Sequence, residues 1–288
     1  MKICYISNSA APSKNASSLQ TSKLCEGLTK QGNNVLLILP NTGDTDKNYF
    51  NFYSIKSRFK IRRIKFFNKF PTGIYYYLYS LISILKSNFS EQDLYITRNF
   101  FTSLLLSILK KRHILEVHDD ILVEGRIVQF LVKYFKTLNL SQVIKIVTTT
   151  QSLKKRYINY GVNKNKIYAL HNASSLSPIF SKSKKKKKLN IGYFGSLFKS
   201  RGIELILDLS KKDKKNNYFV YGGSKNDINL FKKNYQNKNL KLYSYIPFSK
   251  IYSKIKKIDI CLLPYTSKVT VSGDIGDISN YTSPLKVF

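Results

Sequence analysis

Short apolar runs alternate with longer amphipathic stretches along almost the whole chain, and this alternation limits the fold more than any other feature of the sequence. A short run dense in Ile, Leu, Val and Tyr suits a strand buried on both faces. An amphipathic stretch closed by glycine suits a helix, and strands alternating with helices build parallel sheets covered on both sides. The first unit is complete within the opening residues. Lys2–Ile6 reads as a buried strand, Ser7–Ser17 as a loop, and Ser18–Gln31 as a helix with Leu24, Cys25 and Leu28 on one face; Gly32 ends it and Val35–Leu39 is the next strand. Further strands are expected at Leu94–Thr97, Ile114–Val117, Val143–Thr148 and Lys166–Leu170, with helices at Phe101–Lys111, Glu124–Leu138 and Ser152–Tyr160. Together they predict a doubly wound α/β domain.

A second series follows the five-lysine run Lys184–Lys188, which reads as a solvated linker or domain edge. Strands are expected at Leu189–Phe194, Tyr218–Tyr221, Leu240–Tyr243 and Asp259–Leu263, and helices at Gly202–Ser210, Asp227–Tyr235 and Phe248–Lys256. The predicted organisation is a domain over residues 1–172, a linker over 173–188 and a second α/β domain over 189–288, incomplete at its end. A chain of 288 residues has the length for two such cores.

Hydrophobic residues make up 43% of the chain, which excludes a disordered class. The formal charge of +33, from 49 basic and 16 acidic residues, points to an anionic partner: nucleic acid, an anionic membrane surface or a phosphorylated substrate. Abundant Lys, Asn, Ile, Tyr and Phe without tryptophan also match an AT-rich coding sequence, so part of the charge is attributable to composition on solvated faces. Cys4, Cys25 and Cys261 have no paired spacing and read as buried thiols in a reducing compartment. Met1–Ile6 is too short for the apolar region of a signal peptide, and Ile74–Leu85 too short to span a membrane. A cytoplasmic protein is expected, with the inner membrane face as a possible peripheral location. Residues Tyr49–Phe70 interleave aromatic and basic side chains, including Arg58, Arg62, Arg63, Lys65, Phe66 and Phe67, and a Tyr- and Leu-rich helix follows over Ile74–Ser87. Three readings stand for this region: contact with anionic lipid, stacking on single-stranded RNA, or a strand and core-facing helix of the first domain.

Ligands of open α/β sheets bind beyond the carboxyl ends of the strands. After the strand ending at Phe194 comes Gly195-Ser196-Leu197-Phe198-Lys199-Ser200-Arg201-Gly202, where Gly195 admits close backbone approach and Lys199 and Arg201 suit a diphosphate. The following strand ends in Gly222-Gly223, and the fourth in Pro264-Tyr265. Near the end of the chain, Thr282 or Ser283 suits an N-cap and Pro284 a first helical turn, where free N–H groups and Lys286 favour phosphate.

This ordered set resembles the GT-B-fold glycosyltransferases, in particular the large retaining family, glycosyltransferase family 4-like, that includes many bacterial polysaccharide enzymes. The family's G-S-L-x-x-x-K/R-G loop, Gly-Gly turn, aspartate–apolar–Pro-Tyr strand and S-P-L-K-x-F-E segment match Gly195–Gly202, Gly222-Gly223, Asp259–Tyr265 and Ser283–Phe288. The resemblance implies two doubly wound Rossmann-like domains facing a cleft, the second truncated at Phe288. It implies a nucleotide-sugar in the C-terminal half, held by the Gly195-Ser196 loop, Lys199, Arg201, the Ser283-Pro284-Leu285 backbone and Lys286. Ser196 stands where many relatives carry a second arginine. Tyr281 occupies the register of the first of two family glutamates, and the second would follow Phe288.

In the N-terminal half, Glu116-Val117-His118-Asp119-Asp120 resembles the family's E-x-H-D segment. The resemblance implies that His118 contacts the transferred sugar or the acceptor, with Asp119 and Arg98 beside it in the cleft. His171-Asn172-Ala173 matches the interdomain turn in its asparagine. The first loop lacks the family's paired glycines, although Ala10, Ala11, Ala16 and Ser17 keep it small. Asp44-Thr45-Asp46 reads as a chance likeness to a GT-A metal-binding pair; no metal and no cofactor are expected. The implied activity is transfer of a hexose from a nucleotide-sugar to a glycan or lipid-linked acceptor in surface polysaccharide biosynthesis, with retention. The rivals are a non-catalytic basic α/β protein that binds nucleic acid or acts as a scaffold, and a GT-B-fold sugar-nucleotide epimerase; nucleic acid is the less expected partner.

Overall fold

Seven strands pair side by side in parallel because each of the first six is followed by a helix long enough to carry the chain back across the sheet. In the computed structural model these are β1 (Lys2–Ile6), α1 (Ala16–Lys30), β2 (Asn34–Pro40), α2 (Asp46–Tyr53), β3 (Lys60–Ile64), α3 (Thr72–Leu85), β4 (Leu94–Thr97), α4 (Phe100–Ile108), β5 (His113–Val117), α5 (Arg126–Tyr134), β6 (Val143–Thr148), α6 (Gln151–Asn159) and β7 (Ile167–Ala169). The structure describes residues 1–41, 43–65, 72–88, 90–121, 126–174, 186–197, 201–269, 277 and 279–280, with backbone alone at 72–76. The chain divides into two units, Met1–His171 and Asn172–Phe288.

The strand order in the first unit is β3-β2-β1-β4-β5-β6-β7, all parallel. Chain direction across the sheet reverses between β1 and β4, the position at which open α/β sheets leave a crevice for ligands. Both sheet faces are buried. Tyr5, Leu37, Tyr49 and Tyr53 pack on one side, and Cys4, Ile38, Tyr79 and Tyr95 on the other. His113 is a core histidine with both ring nitrogens engaged, by the Lys111 carbonyl at 2.9 Å and Ser103 Oγ at 2.8 Å.

Within the stretch at Tyr49–Phe70, the apolar and aromatic side chains described up to residue 65 pack into the core, whereas Arg58 and Lys65 are exposed. Tyr49, Phe50 and Tyr53 on α2 and Phe59 before β3 are buried and pack edge-on, with Tyr49–Tyr53 and Phe50–Phe59 centroids 5.1 and 5.4 Å apart. The arginines serve the same packing. Arg63 pairs with Asp46 at 3.3 Å and donates to the Ala11 carbonyl at 3.1 Å, while Arg62 bonds to Asn88 Oδ1 at 3.0 Å. Asp46 opens α2, and Thr45 Oγ1 caps it by accepting from Asn48 N at 3.3 Å. Residues 66–71 lie outside the described residues.

The second unit contains β8 (Asn190–Phe194), α7 (Ile203–Lys212), β9 (Asn217–Tyr221), α8 (Lys225–Asn234), β10 (Leu240–Tyr243), α9 (Phe248–Ile255) and β11 (Ile260–Cys261), with parallel order β10-β9-β8-β11. Ile191, Tyr193, Val220, Ile203 and Leu207 form its core. Two expectations are corrected here. The helix expected over Glu124–Leu138 is α5 followed by a separate 3₁₀ turn at Thr137–Asn139, because Lys136 turns into the left-handed region at φ 48° and breaks the ladder. Cys261 is exposed, not buried, because β11 is a two-residue edge strand; Cys4 and Cys25 are buried. Asp259 fixes that edge by accepting from Asn190 N at 2.8 Å and from Lys186 Nζ at 2.5 Å.

Candidate functional site

In the first unit, Arg98, Glu116, Val117, His118, Asp119 and Ile121 line one recess at the carboxyl ends of β4 and β5. The turn that carries Arg98 is held from both sides. Thr97 Oγ1 donates to the Ile6 carbonyl at 3.1 Å and accepts from Asn99 N at 3.2 Å, and Asn99 then caps α4 through Thr102 N at 2.9 Å. Arg98 Nη1 approaches Gln20 Oε1 on α1 at 3.5 Å. Behind it, fully buried Tyr5 donates its hydroxyl to Glu116 Oε2 at 2.6 Å, bringing β1 and β5 into one network.

The β5–α5 loop is pinned from α6. Tyr157, 0% exposed, accepts Ile121 N at 2.8 Å and donates to the Asp119 carbonyl at 3.3 Å, while Arg156 Nε donates to buried Asp120 Oδ2 at 2.5 Å. We therefore expect Asp120→Ala to leave the fold intact, lower stability by about 1–3 kcal/mol in urea melts and raise KM by loosening the His118-Asp119 turn. Unchanged stability and KM would show that the pairing is idle.

Burial sets the electrostatics of the recess. It pushes the Glu116 carboxyl upward, against the Tyr5 hydrogen bond and the Arg98 charge. Asp119 also rises through burial, opposed by Arg98. Burial, assisted by Arg98, lowers His118 to about 3. The imidazole is therefore neutral near pH 7, one nitrogen donating and the other accepting. At the end of β1, Asn8 keeps both amide atoms buried without a hydrogen-bond partner. A neutral imidazole, an arginine and two carboxyls around one recess suit a ligand rich in hydroxyls. Among the described residues no group of three His, Cys, Asp or Glu side chains is placed to hold a metal ion.

In the second unit the glycine turns meet at the carboxyl ends of β8 and β9. Gly195 N bonds to the Tyr221 carbonyl at 2.9 Å and Gly222 N to the Tyr243 carbonyl at 3.0 Å. Tyr193 then fixes the loop by donating to the Ser196 carbonyl at 2.6 Å. Arg201 lies with its guanidinium carbon 4.9 Å from the centroid of the Tyr265 ring, so the cation is carried at the same end of the sheet. Lys199, Ser283, Pro284, Leu285 and Lys286 lie outside the described residues.

The structure thus brings Arg98, His118 and Asp119 into one site and Gly195, Ser196 and Arg201 into another, each within its own unit. Around the first recess it adds Tyr5, Gln20, Arg156 and Tyr157, which sequence reading missed. Tyr5 reads as one more buried strand residue until β5 is known to lie two strands away, and nothing local marks it.

The Glycosyltransferase Family 4 model matches residues 20–177. No curated protein matches the chain in sequence. Among solved structures, the chain is similar to Anabaena HepE in complex with UDP-glucose, with TM-score 0.59 and 13% identity over 91% of this chain and 73% of that one. It is similar to sucrose-phosphate synthase from Thermosynechococcus elongatus, with TM-score 0.63 and 12% identity over 92% and 75%. UDP-GlcNAc 2-epimerase from Neisseria meningitidis, bound to UDP-GlcNAc, gives TM-score 0.56 and 10% identity over 91% and 76%. At these identities the likeness is one of fold, and the fold is GT-B.

Proposed function

This chain belongs to Glycosyltransferase Family 4, and we propose that it moves a hexose from a nucleotide-sugar to a glycan or lipid-linked acceptor in surface polysaccharide biosynthesis, with retention at the anomeric carbon. The observation that carries the donor half of this reading is the junction of Gly195 with Gly222, with Arg201 held over Tyr265, at the carboxyl ends of the second unit's strands. Side-chain-free backbone beside a held guanidinium suits a diphosphate, and HepE, a protein of the same fold, binds UDP-glucose.

In this reading Arg201, Lys199 and Lys286, with the Ser283–Leu285 backbone, stabilise charge developing on the departing diphosphate. His118, uncharged at neutral pH, hydrogen-bonds a hydroxyl of the transferred sugar or acceptor, and Arg98 and Asp119 orient the same group. No cofactor takes part and no metal is required. The protein works inside the cell, peripherally at the membrane when the acceptor is lipid-linked; among the described residues no helix is long and apolar enough to cross a bilayer.

The test is titration calorimetry with UDP-glucose and other nucleotide-sugars on the full chain and on Arg201→Ala. Loss of one charge-assisted contact should weaken binding about 10- to 100-fold. An unchanged affinity would remove Arg201 from the donor site, and release of an epimerised sugar without acceptor would favour an epimerase over a transferase.

A further inference from the structure

Helix α5 is apolar on two sides. Val128 and Val132, four apart, turn into the core at 3% and 5% exposure. Ile127, Phe130 and Tyr134, at i, i+3 and i+7, turn outward at 67%, 51% and 67%, and Phe135 follows at 62%. The rings form their own cluster: Phe130 lies 5.1 Å from Tyr134 and 5.7 Å from Phe135, centroid to centroid. A contiguous exposed stripe of large apolar side chains is uncommon on a protein surface unless something covers it.

The charges beside the stripe say what covers it. Arg126, Lys133 and Lys136 are exposed along and just beyond the helix, and Lys133 Nζ lies 5.6 Å from the Tyr134 ring centroid. The sequence contains no Asp or Glu from Arg126 to Ile203. Apolar residues edged by cations on a helix match the boundary between headgroups and acyl chains of an anionic bilayer. A second copy of this chain fits poorly, because an isologous contact would set these cations against themselves in a protein of net charge +33. Nucleic acid fits less well than lipid: aliphatic Ile127 is among the most exposed residues of the stripe, and the rings are packed on one another instead of standing open for base stacking.

We propose that the outer face of α5, through Ile127, Phe130, Tyr134 and Phe135 with Arg126, Lys133 and Lys136, docks the protein peripherally on an anionic lipid surface. This goes beyond the transfer reaction and does not depend on the identity of donor or acceptor. α5 starts at Arg126, five positions after Ile121, which lines the recess of the first unit.

The chain contains no tryptophan, so Phe130→Trp installs a single fluorescent reporter in the full-length protein. On vesicles of phosphatidylcholine with about one-third phosphatidylglycerol its emission should shift to the blue, with little change on pure phosphatidylcholine. In flotation assays with the same vesicles, the double variant Phe130→Ser/Tyr134→Ser should lose about tenfold or more in partitioning. Lys133→Gln/Lys136→Gln should lose binding and much of its salt dependence. No blue shift, or unchanged flotation of both double variants, would overturn the proposal. It would also be overturned if the Ser variant abolished a concentration-dependent dimer in sedimentation while leaving flotation intact, or if single-stranded RNA displaced the vesicles from the stripe. UDP-sugar binding measured on the same variants stays unchanged if the fold is intact, so failure of lipid docking is distinguishable from failure of the donor reading.

Discussion

His118→Ala should lower kcat/KM by roughly a hundred- to a thousandfold while leaving the fold intact. His118 is half-buried in a recess with Arg98, Glu116 and Asp119, on a turn pinned by Tyr157 and Arg156. A side chain so placed loses little order when it engages a hydroxyl, and in the proposed reading its loss removes a hydrogen bond to the transferred sugar or the acceptor. His118→Gln, which keeps a donor and an acceptor, should recover part of the rate. The imidazole is held at about 3 by burial and by Arg98, so the pH–rate profile should show no break from this residue between about pH 5 and 8. Stability carries the complementary signal. The unfolded histidine binds a proton near pH 6.5 and the folded one near 3, so between those values the unfolded state holds more protons and stability rises with pH, levelling off above about 6.5. Urea melts should show that slope reduced in His118→Ala. An alanine variant with full activity would remove His118 from the site, and an unchanged acid slope would mean the imidazole is as well solvated folded as unfolded.

Strands were legible in the sequence where both faces are buried. Lys2–Ile6, Leu94–Thr97 and Val143–Thr148 stand where the apolar runs predicted them, since such a run has no alternative burial. Edges and boundaries were less legible. β11 is shorter than its apolar run because an edge strand has a neighbour on one side only, and α5 stops early because of a left-handed Lys136 that no local residue preference foretells. The aromatic stretch at Tyr49–Phe59 was ambiguous for a physical reason. Tyr and Phe beside Arg describe an interfacial helix and a core helix equally, and the difference lies in whether Arg63 finds Asp46 and the Ala11 carbonyl. In the recess, Arg98 was legible as a residue just after a strand, whereas His118 was singled out only through the resemblance of its segment to E-x-H-D. Glu116 was quoted in its motif without a role, and its partner Tyr5 lies 111 positions away. Contacts of that separation depend on strand order, which one sequence does not print.

Gly222→Ala should strongly destabilise the second unit. Gly222 has φ 143°, and a Cβ there would stand 1.8 Å from the Gly195 carbonyl oxygen and 2.7 Å from its carbon. Both atoms are backbone, so no rotamer relieves the overlap. Gly195 N is itself tied to the Tyr221 carbonyl at 2.9 Å, so the loop after β8 cannot yield without breaking the ladder next to it. Strained backbone together with a main-chain clash should cost about 3 kcal/mol or more. The same movement would displace the Gly195-Ser196 loop, and nucleotide-sugar affinity should fall together with stability. Gly27 supplies the control, since it lies inside α1 with nothing within 4 Å of an added Cβ. Gly27→Ala should stabilise the chain by about 0.5–1 kcal/mol and leave donor binding unchanged. Urea melts and donor titrations on the two variants separate the causes. If Gly222→Ala melts like the parent, the two turns are not in contact; if it is destabilised yet binds the donor normally, their contact is structural and the diphosphate lies elsewhere.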